Sequence, residues 1–310
     1  MPEMLYQRDV YGQTLVELGK SHKDIVVLDA DLSGSTRTCL FAKEFKERFF
    51  NFGVAEQNML ATAAGLASCD KKVFVSTFAM FATGRAWDQV RNSVAYNNFN
   101  VKIVATHAGL SVGPDGASHQ ALEDVALMRV IPNIKIIIPC DGPQVRDAIL
   151  SAYENPGPFY IRLSRPKFPT IENKPAFKLG LAQRLRDGKD VTIFACGAMV
   201  KSALIAANKL EGEGIKSRVV NIHTLRPIDT KEIISAVEET RGILVCEEHS
   251  VIGGLASAVN EVVSENKPVK VLRLGIRNRF GQSGEPDELF KEYLLTSDDI
   301  ISSVKKIIQP

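Results

Sequence analysis

Short runs of aliphatic and β-branched residues alternate with longer amphipathic segments along this chain, and they do so twice. In the first half the runs are Ile25-Val26-Val27-Leu28, Val73-Phe74-Val75-Ser76, Val101-Lys102-Ile103-Val104, Ile134-Lys135-Ile136-Ile137-Ile138 and Phe159-Tyr160-Ile161-Arg162-Leu163. Helical candidates lie between them, near residues 10–20, 56–68, 85–96, 120–129 and 143–154. Short strands alternating with longer helices predict a doubly wound, mainly parallel sheet. Runs with almost no polar alternation fit strands buried on both faces.

Around 165–180 the pattern stops. Arg165-Pro166-Lys167-Phe168-Pro169 through Asn173-Lys174-Pro175-Ala176-Phe177 carries three prolines and no periodicity, so it reads as an ordered linker. A second alternation follows: Val191-Thr192-Ile193-Phe194-Ala195-Cys196, a helix near 199–212, Arg218-Val219-Val220-Asn221-Ile222, a helix near 230–240, Ile243-Leu244-Val245-Cys246-Glu247, a helix near 254–265, and Val269-Lys270-Val271-Leu272-Arg273-Leu274. The expected fold is α/β, with two doubly wound, mainly parallel-sheet domains at 1–165 and 186–310 joined by a linker at 166–185. A length of 310 residues agrees with two domains.

Charge and cysteine usage exclude several classes. Basic and acidic residues, 38 and 36, leave a net charge of +2, which gives no support for a nucleic-acid surface. Five scattered cysteines with no CxxC pair read as reduced thiols in a cytoplasmic protein, not a disulfide framework or zinc site. No cationic and apolar leader is visible at the N-terminus, and no apolar run reaches the roughly 20 residues of a membrane span.

Glu56 opens a helix rich in small residues, Ala61-Thr62-Ala63-Ala64-Gly65-Leu66-Ala67. A carboxylate there lies at a crowded, poorly hydrated place, where it needs a partner or a raised pKa. Taken alone, the plainer reading is a carboxylate offsetting the helix dipole. Phe78 and Phe81, three apart, can share a face as core packing or as a platform for a flat heterocycle. The stretch from His107 to His119 follows a strand, and open α/β sheets bind ligands at that edge. Gly109, Gly113 and Gly116 let its backbone turn tightly. Two histidines and Asp115 suit substrate chemistry better than turn capping, and their spacing does not match a compact zinc site. Arg8, Ser35 and Arg165, singly surface groups, would together suit a phosphate monoester. Asp31 follows the first strand. Glu247-Glu248-His249 before Gly253-Gly254 reads as structural or as an interface feature.

In this order the residues resemble the C-terminal half of a transketolase: a pyrimidine-binding domain followed by the C-terminal domain of thiamine-diphosphate enzymes. The resemblance covers essentially the whole chain. It is sharpest at Gly53-Val54-Ala55-Glu56-Gln57, Thr77-Phe78-Ala79-Met80-Phe81, Gly113-Pro114-Asp115-Gly116-Ala117-Ser118-His119-Gln120, Arg162-Leu163-Ser164-Arg165 and Glu247-Glu248-His249. It implies that Glu56 is the catalytic glutamate at the aminopyrimidine N1′, promoting the tautomer that deprotonates thiazolium C2. Phe78 and Phe81 then flank the pyrimidine, and Asp31 lies near the thiazolium and a subunit contact. His107 and His119 move protons and contact substrate, Asp115 holds a sugar hydroxyl, and Arg8, Ser35 and Arg165 bind phosphate.

Two departures carry weight. The Gly-Asp-Gly…Asn signature that holds magnesium and diphosphate is absent from this sequence. A third aromatic found near the pyrimidine in some relatives falls at Gly84. The resemblance therefore implies the small subunit of a split transketolase of pentose phosphate metabolism. It would be active only with an N-terminal, diphosphate-binding subunit that holds Mg2+, and it would contribute no metal ligand itself. Self-association as a dimer, with Glu247–His249 and Gly253–Gly254 adding symmetric contacts, and an α2β2 heterotetramer follow. The alternatives are 1-deoxyxylulose-5-phosphate synthase, normally a much longer single chain, a 2-oxo-acid dehydrogenase β subunit, whose pattern suits the two-histidine loop less well, and a non-catalytic paralogue.

Overall fold

The computed structural model describes residues 3–308. A short antiparallel ribbon pairs β1 (Met4–Tyr6) with β8 (Lys167–Pro169), Tyr6 opposite Lys167. The first large sheet is built from β2 (Ile25–Asp29), β3 (Phe49–Asn51), β4 (Lys72–Phe78), β5 (Val101–Thr106), β6 (Lys135–Ile137), β7 (Phe159–Arg162) and β12 (Thr224–Arg226). Their order is β12-β6-β7-β5-β4-β2-β3, parallel throughout except at β12. The centre of that sheet is apolar on both faces: Val73, Phe74, Val75, Ile103 and Val104 are all buried. This is the pattern that the continuous aliphatic runs predict.

The second sheet contains β9 (Gln183–Arg186), β10 (Val191–Ala195), β11 (Ser217–Asn221), β13 (Ile243–Ser250) and β14 (Val271–Ile276). Its order is β14-β13-β10-β11-β9, with only β9 antiparallel. Helices Met199–Gly212 and Ser297–Ile308 pack on one side, where Ala203, Ala207, Ile300 and Val304 are buried.

The two sheets are not independent. After β11 the chain crosses back and lays β12 against β6, so a strand of the second half closes the edge of the first sheet. The proline-bearing stretch also has structure: β8 returns to the N-terminus, and residue 183 already belongs to the second sheet. Three-residue strands such as β1, β3, β8 and β12 are too short to show periodicity. The region expected to form one helix over 85–96 is two wider, π-helical turns, Phe81–Arg85 and Gln89–Ala95. Helix Glu56–Ser68 starts and stops where the sequence places it.

Candidate active site

The carboxyl ends of β4 and β5 and the start of helix Glu56–Ser68 meet at one edge of the first sheet. Glu56 is the first residue of its helix and is 3% exposed, so its charge needs a partner. The partner is Arg85, whose Nη1 donates to Glu56 Oε1 at 3.0 Å. Phe78 ends β4 and Phe81 opens the first π turn. Their rings lie 22° from parallel with centroids 5.9 Å apart, so the expected shared face forms across a strand end and not along a regular helix.

His107 begins the loop after β5 in a left-handed conformation, φ 56°, and its ring stacks on Phe78 at 4.0 Å. Its Nδ1 lies 2.9 Å from Thr106 Oγ1. Burial, reinforced by Arg8, Arg165 and His119, pulls its pKa down to about 3, so His107 is neutral in the physiological range. His119 returns along the same loop and sets its ring edge-on to Phe81 at 5.3 Å and to Phe78 at 6.2 Å. Two aromatic rings and two imidazoles therefore form one contiguous cluster.

The second domain clamps this loop. Glu248 is buried and accepts from the Ser111 backbone N–H. A side chain at Gly109, φ 82°, would run into Glu248 Oε1 at 2.4 Å, so only glycine satisfies both backbone and packing there. Gln120 Nε2 bonds to the carbonyls of Leu110 and Gln282, tying the loop to the segment before helix Pro286–Glu292. Burial raises the pKa of Glu248, while Arg162 opposes that rise.

Arg8 and Arg165 converge because Gln7 bridges their neighbourhoods. Its Oε1 accepts from Ser164 N at 2.8 Å and its Nε2 donates to Pro139 O at 2.9 Å. The β1–β8 ribbon flanks both arginines. They line a cleft of about 360 Å3 with Tyr6, Ser111, Pro114 and Glu285. Arg8 Nε is buried and makes no hydrogen bond, and burial together with Arg37 lowers its pKa. Arg165 donates to Val112 O and lies 3.6 Å from Asp115 Oδ1. Asp115 thus joins the arginine cleft through Arg165.

Ser35 is not brought into contact with these groups. It sits in the short helix Ser33–Thr36, where its N–H bonds to Leu32 O, at the same sheet edge. Asp31 is exposed at φ 62° and exchanges hydrogen bonds with Asn51 at 3.0 and 3.2 Å, which joins the ends of β2 and β3. Glu247, Glu248 and His249 cannot make contacts between copies, because all three are buried within the chain. Glu247 caps helix Leu255–Asn266, accepting from Leu255 N and Ala256 N at 2.7 and 2.9 Å, which offsets the helix dipole. A Cβ at Gly254 would strike that carboxylate. Beside it, Asp124 accepts from Tyr160 and Arg162 at 2.6 and 2.8 Å. Burial would raise the Asp124 pKa, but Arg162 and His249 outweigh it and hold the group ionised. Sequence reasoning missed Arg85, Gln7 and this network, because the groups that give each of them a function lie far away along the chain. Among the described residues, no three His, Cys, Asp or Glu side chains converge as a metal site.

An edge of parallel strands that gathers a buried carboxylate, stacked aromatic rings and a two-histidine loop, backed by a second α/β domain, is the arrangement of a ligand-binding α/β protein. The family model of the transketolase pyrimidine-binding domain matches residues 3–170, and that of the transketolase C-terminal domain matches residues 180–300. The chain belongs to the transketolase family. It is 50% identical to a transketolase C-terminal section of Methanocaldococcus jannaschii, over 96% of this chain and 94% of that one. It is 40% identical to a 6-deoxy-6-sulfo-D-fructose transketolase subunit of a Clostridium strain, over 97% and 94%. It spans about half of the human transketolase, 49%, at 38% identity. A solved structure described as the inactive β4 tetramer of a split-gene transketolase superposes with a TM-score of 0.91, at 49% identity and 98% coverage of both chains.

Proposed function

We propose that this chain is the small subunit of a two-chain, cytoplasmic transketolase. It would transfer a two-carbon ketol unit between sugar phosphates in pentose phosphate interconversion once joined to a diphosphate-binding subunit. We take 1–165 as its pyrimidine-side domain, 166–185 as linker and 186–310 as C-terminal domain. The observation that carries this reading is the single cluster of Phe78, Phe81, His107 and His119 beside buried Glu56, with the Arg8–Arg165 cleft against the middle of the same loop, at Ser111, Val112 and Pro114.

These residues fit the pyrimidine end of thiamine diphosphate: a buried carboxylate for N1′ and aromatic faces for a flat ring. Thiamine diphosphate, when bound, would supply an acidic thiazolium C2–H, which on losing its proton provides a carbon nucleophile suited to a ketose carbonyl. Glu56 holds the proton at the pyrimidine N1′. His119, half-buried at the cluster edge, would exchange protons with substrate oxygens. His107 stays neutral, so it offers one N–H donor or one lone pair and no charge. Asp115 takes a sugar hydroxyl. Arg8 and Arg165 would grip the phosphate, and the unpartnered Arg8 Nε suits an anion; Ser35, apart from both arginines here, would join that set only by reaching the phosphate from its own short helix. Asp31, held by Asn51, would face the thiazolium and the partner. Magnesium and diphosphate fall to the partner, because this sequence lacks their signature.

The test is co-expression with a chain carrying the Gly-Asp-Gly…Asn signature. Ketol transfer is expected from the pair in the presence of thiamine diphosphate and Mg2+, and none from this chain alone. Full activity of the isolated chain would overturn the two-chain reading.

A further inference from the structure

Arg85 uses the two groups that the proposed function assigns to the pyrimidine. Its Nη1 is 3.0 Å from Glu56 Oε1, and its guanidinium carbon lies 4.0 Å from the centroid of Phe81. The turn Phe81–Arg85 carries both residues, and four positions apart they fall on one face of it. The two partners differ in burial, with the Glu56 side chain 3% exposed and that of Arg85 49% exposed. The arginine reaches in from solvent and covers the carboxylate.

We propose that Arg85 is a displaceable latch on the cofactor pocket. In the free subunit it satisfies Glu56 and covers Phe81, and it swings into solvent when a flat aminopyrimidine takes both groups. The Arg85 backbone stays in place through this movement, because its carbonyl accepts from Gln57 Nε2 at 2.9 Å. Only the half-exposed side chain has to move. Adjacent Gly84 leaves room for the swing: a Cβ there would meet only the Met80 methyl, at 3.4 Å. The latch resolves a physical problem of the unassembled subunit, since a buried carboxylate without a partner is costly. The same contact then competes with the cofactor.

This proposal rests on the assignment of Glu56 and Phe81 to the pyrimidine. Its test is calorimetric titration of the assembled two-chain enzyme with thiamine diphosphate at saturating Mg2+. Arg85→Ala and Arg85→Gln are both expected to bind roughly five- to thirtyfold more tightly, because the unaltered chain gives up an ion pair and a cation–π contact when the cofactor enters and the variants do not. Unchanged or weaker binding in both variants would make Arg85 a fixed wall and overturn the latch. Glu56→Gln separates the two levels of inference. If exchange of the cofactor C2 proton is unaffected in that variant, the site assignment fails, whatever Arg85 does.

Discussion

The imidazole of His107 lies on the ring of Phe78, with 4.0 Å between centroids and 25° off parallel. One residue ends β4 and the other follows β5, strands in direct register with Phe78 opposite Thr106. The stack couples the aromatic surface assigned to the cofactor to the histidine assigned to the substrate. Phe78→Leu keeps an apolar side chain and removes the stack. It is expected to weaken thiamine diphosphate binding and raise the substrate KM together, each by several-fold, from the roughly 0.5–1.5 kcal/mol that an aromatic pair adds. Titration and steady-state kinetics on the assembled enzyme check this, and a change in cofactor affinity alone would show the two sides to be uncoupled.

Glu56→Gln preserves the size and helix position of the side chain but cannot share a proton with N1′. Hydrogen–deuterium exchange at cofactor C2 in the assembled enzyme should slow by about 10²–10⁴-fold, the usual general acid–base contribution, while the fold is retained. Unchanged exchange would remove Glu56 from the chemistry.

Glu56 also shows what was legible in the sequence and what was not. Its helix, the central strands and the glycine-bearing loop announce themselves through periodicity and turn residues, which are local properties. β12 does not, because three residues carry no period and their place is set by pairing with Ile136 and Ile137. Arg85 reads as an ordinary surface arginine until the π turn aims it at Glu56. Glu247–His249 illustrates the reverse case. Of the two readings of this polar triplet, structural or interface, burial leaves the structural one, because an adjacent helix N-terminus and Arg162 offset the cost of burying the two carboxylates.

Arg165→Ala should raise the KM for phosphorylated sugars by roughly tenfold or more, the scale of a lost charge-assisted contact. Unphosphorylated acceptors should be nearly unaffected, because Arg165 lines the cleft beside Arg8 and not the ring cluster. Equal effects on both substrate kinds would argue against phosphate recognition.

Stability should fall on acidification, and two histidines give the sign. Burial depresses His107 to about 3 and His223 to about 4, from an ordinary value of 6.5. The unfolded chain therefore takes up protons first. The contribution is complete above pH 6.5 and is lost as pH falls toward those values. For one such histidine the loss between about pH 7 and pH 5 is on the order of 2 kcal/mol. His223 stacks on Phe177 at 4.4 Å, and its Nε2 is buried without a partner. In His223→Phe the drop in Tm between the two pH values should be smaller than in the unaltered chain. An identical drop would show that His223 does not titrate on unfolding.

Helix Glu56–Ser68 carries the assembly prediction. Its buried face holds Met59, Leu60, Ala63, Ala64 and Ala67, while Gln57, Ala61 and Gly65 form an exposed row of mostly small side chains. Phe50 and Val54, near the start of that helix, are 46% and 72% exposed. Small residues let a second backbone approach closely, and exposed apolar groups of this size gain from being covered. Glu56 opens the same helix, so a partner seated there would complete the proposed pocket. The expected assembly is an α2β2 heterotetramer, with self-association when this chain is alone. Gly65→Arg tests the surface without disturbing the fold, since nothing lies within 4 Å of a Cβ at that position and arginine is a better helix former than glycine. The variant should retain or raise its own Tm yet fail to form the heterotetramer with the diphosphate-binding subunit, as measured by light scattering. A normal heterotetramer from Gly65→Arg would place the partner elsewhere and separate this helix face from assembly.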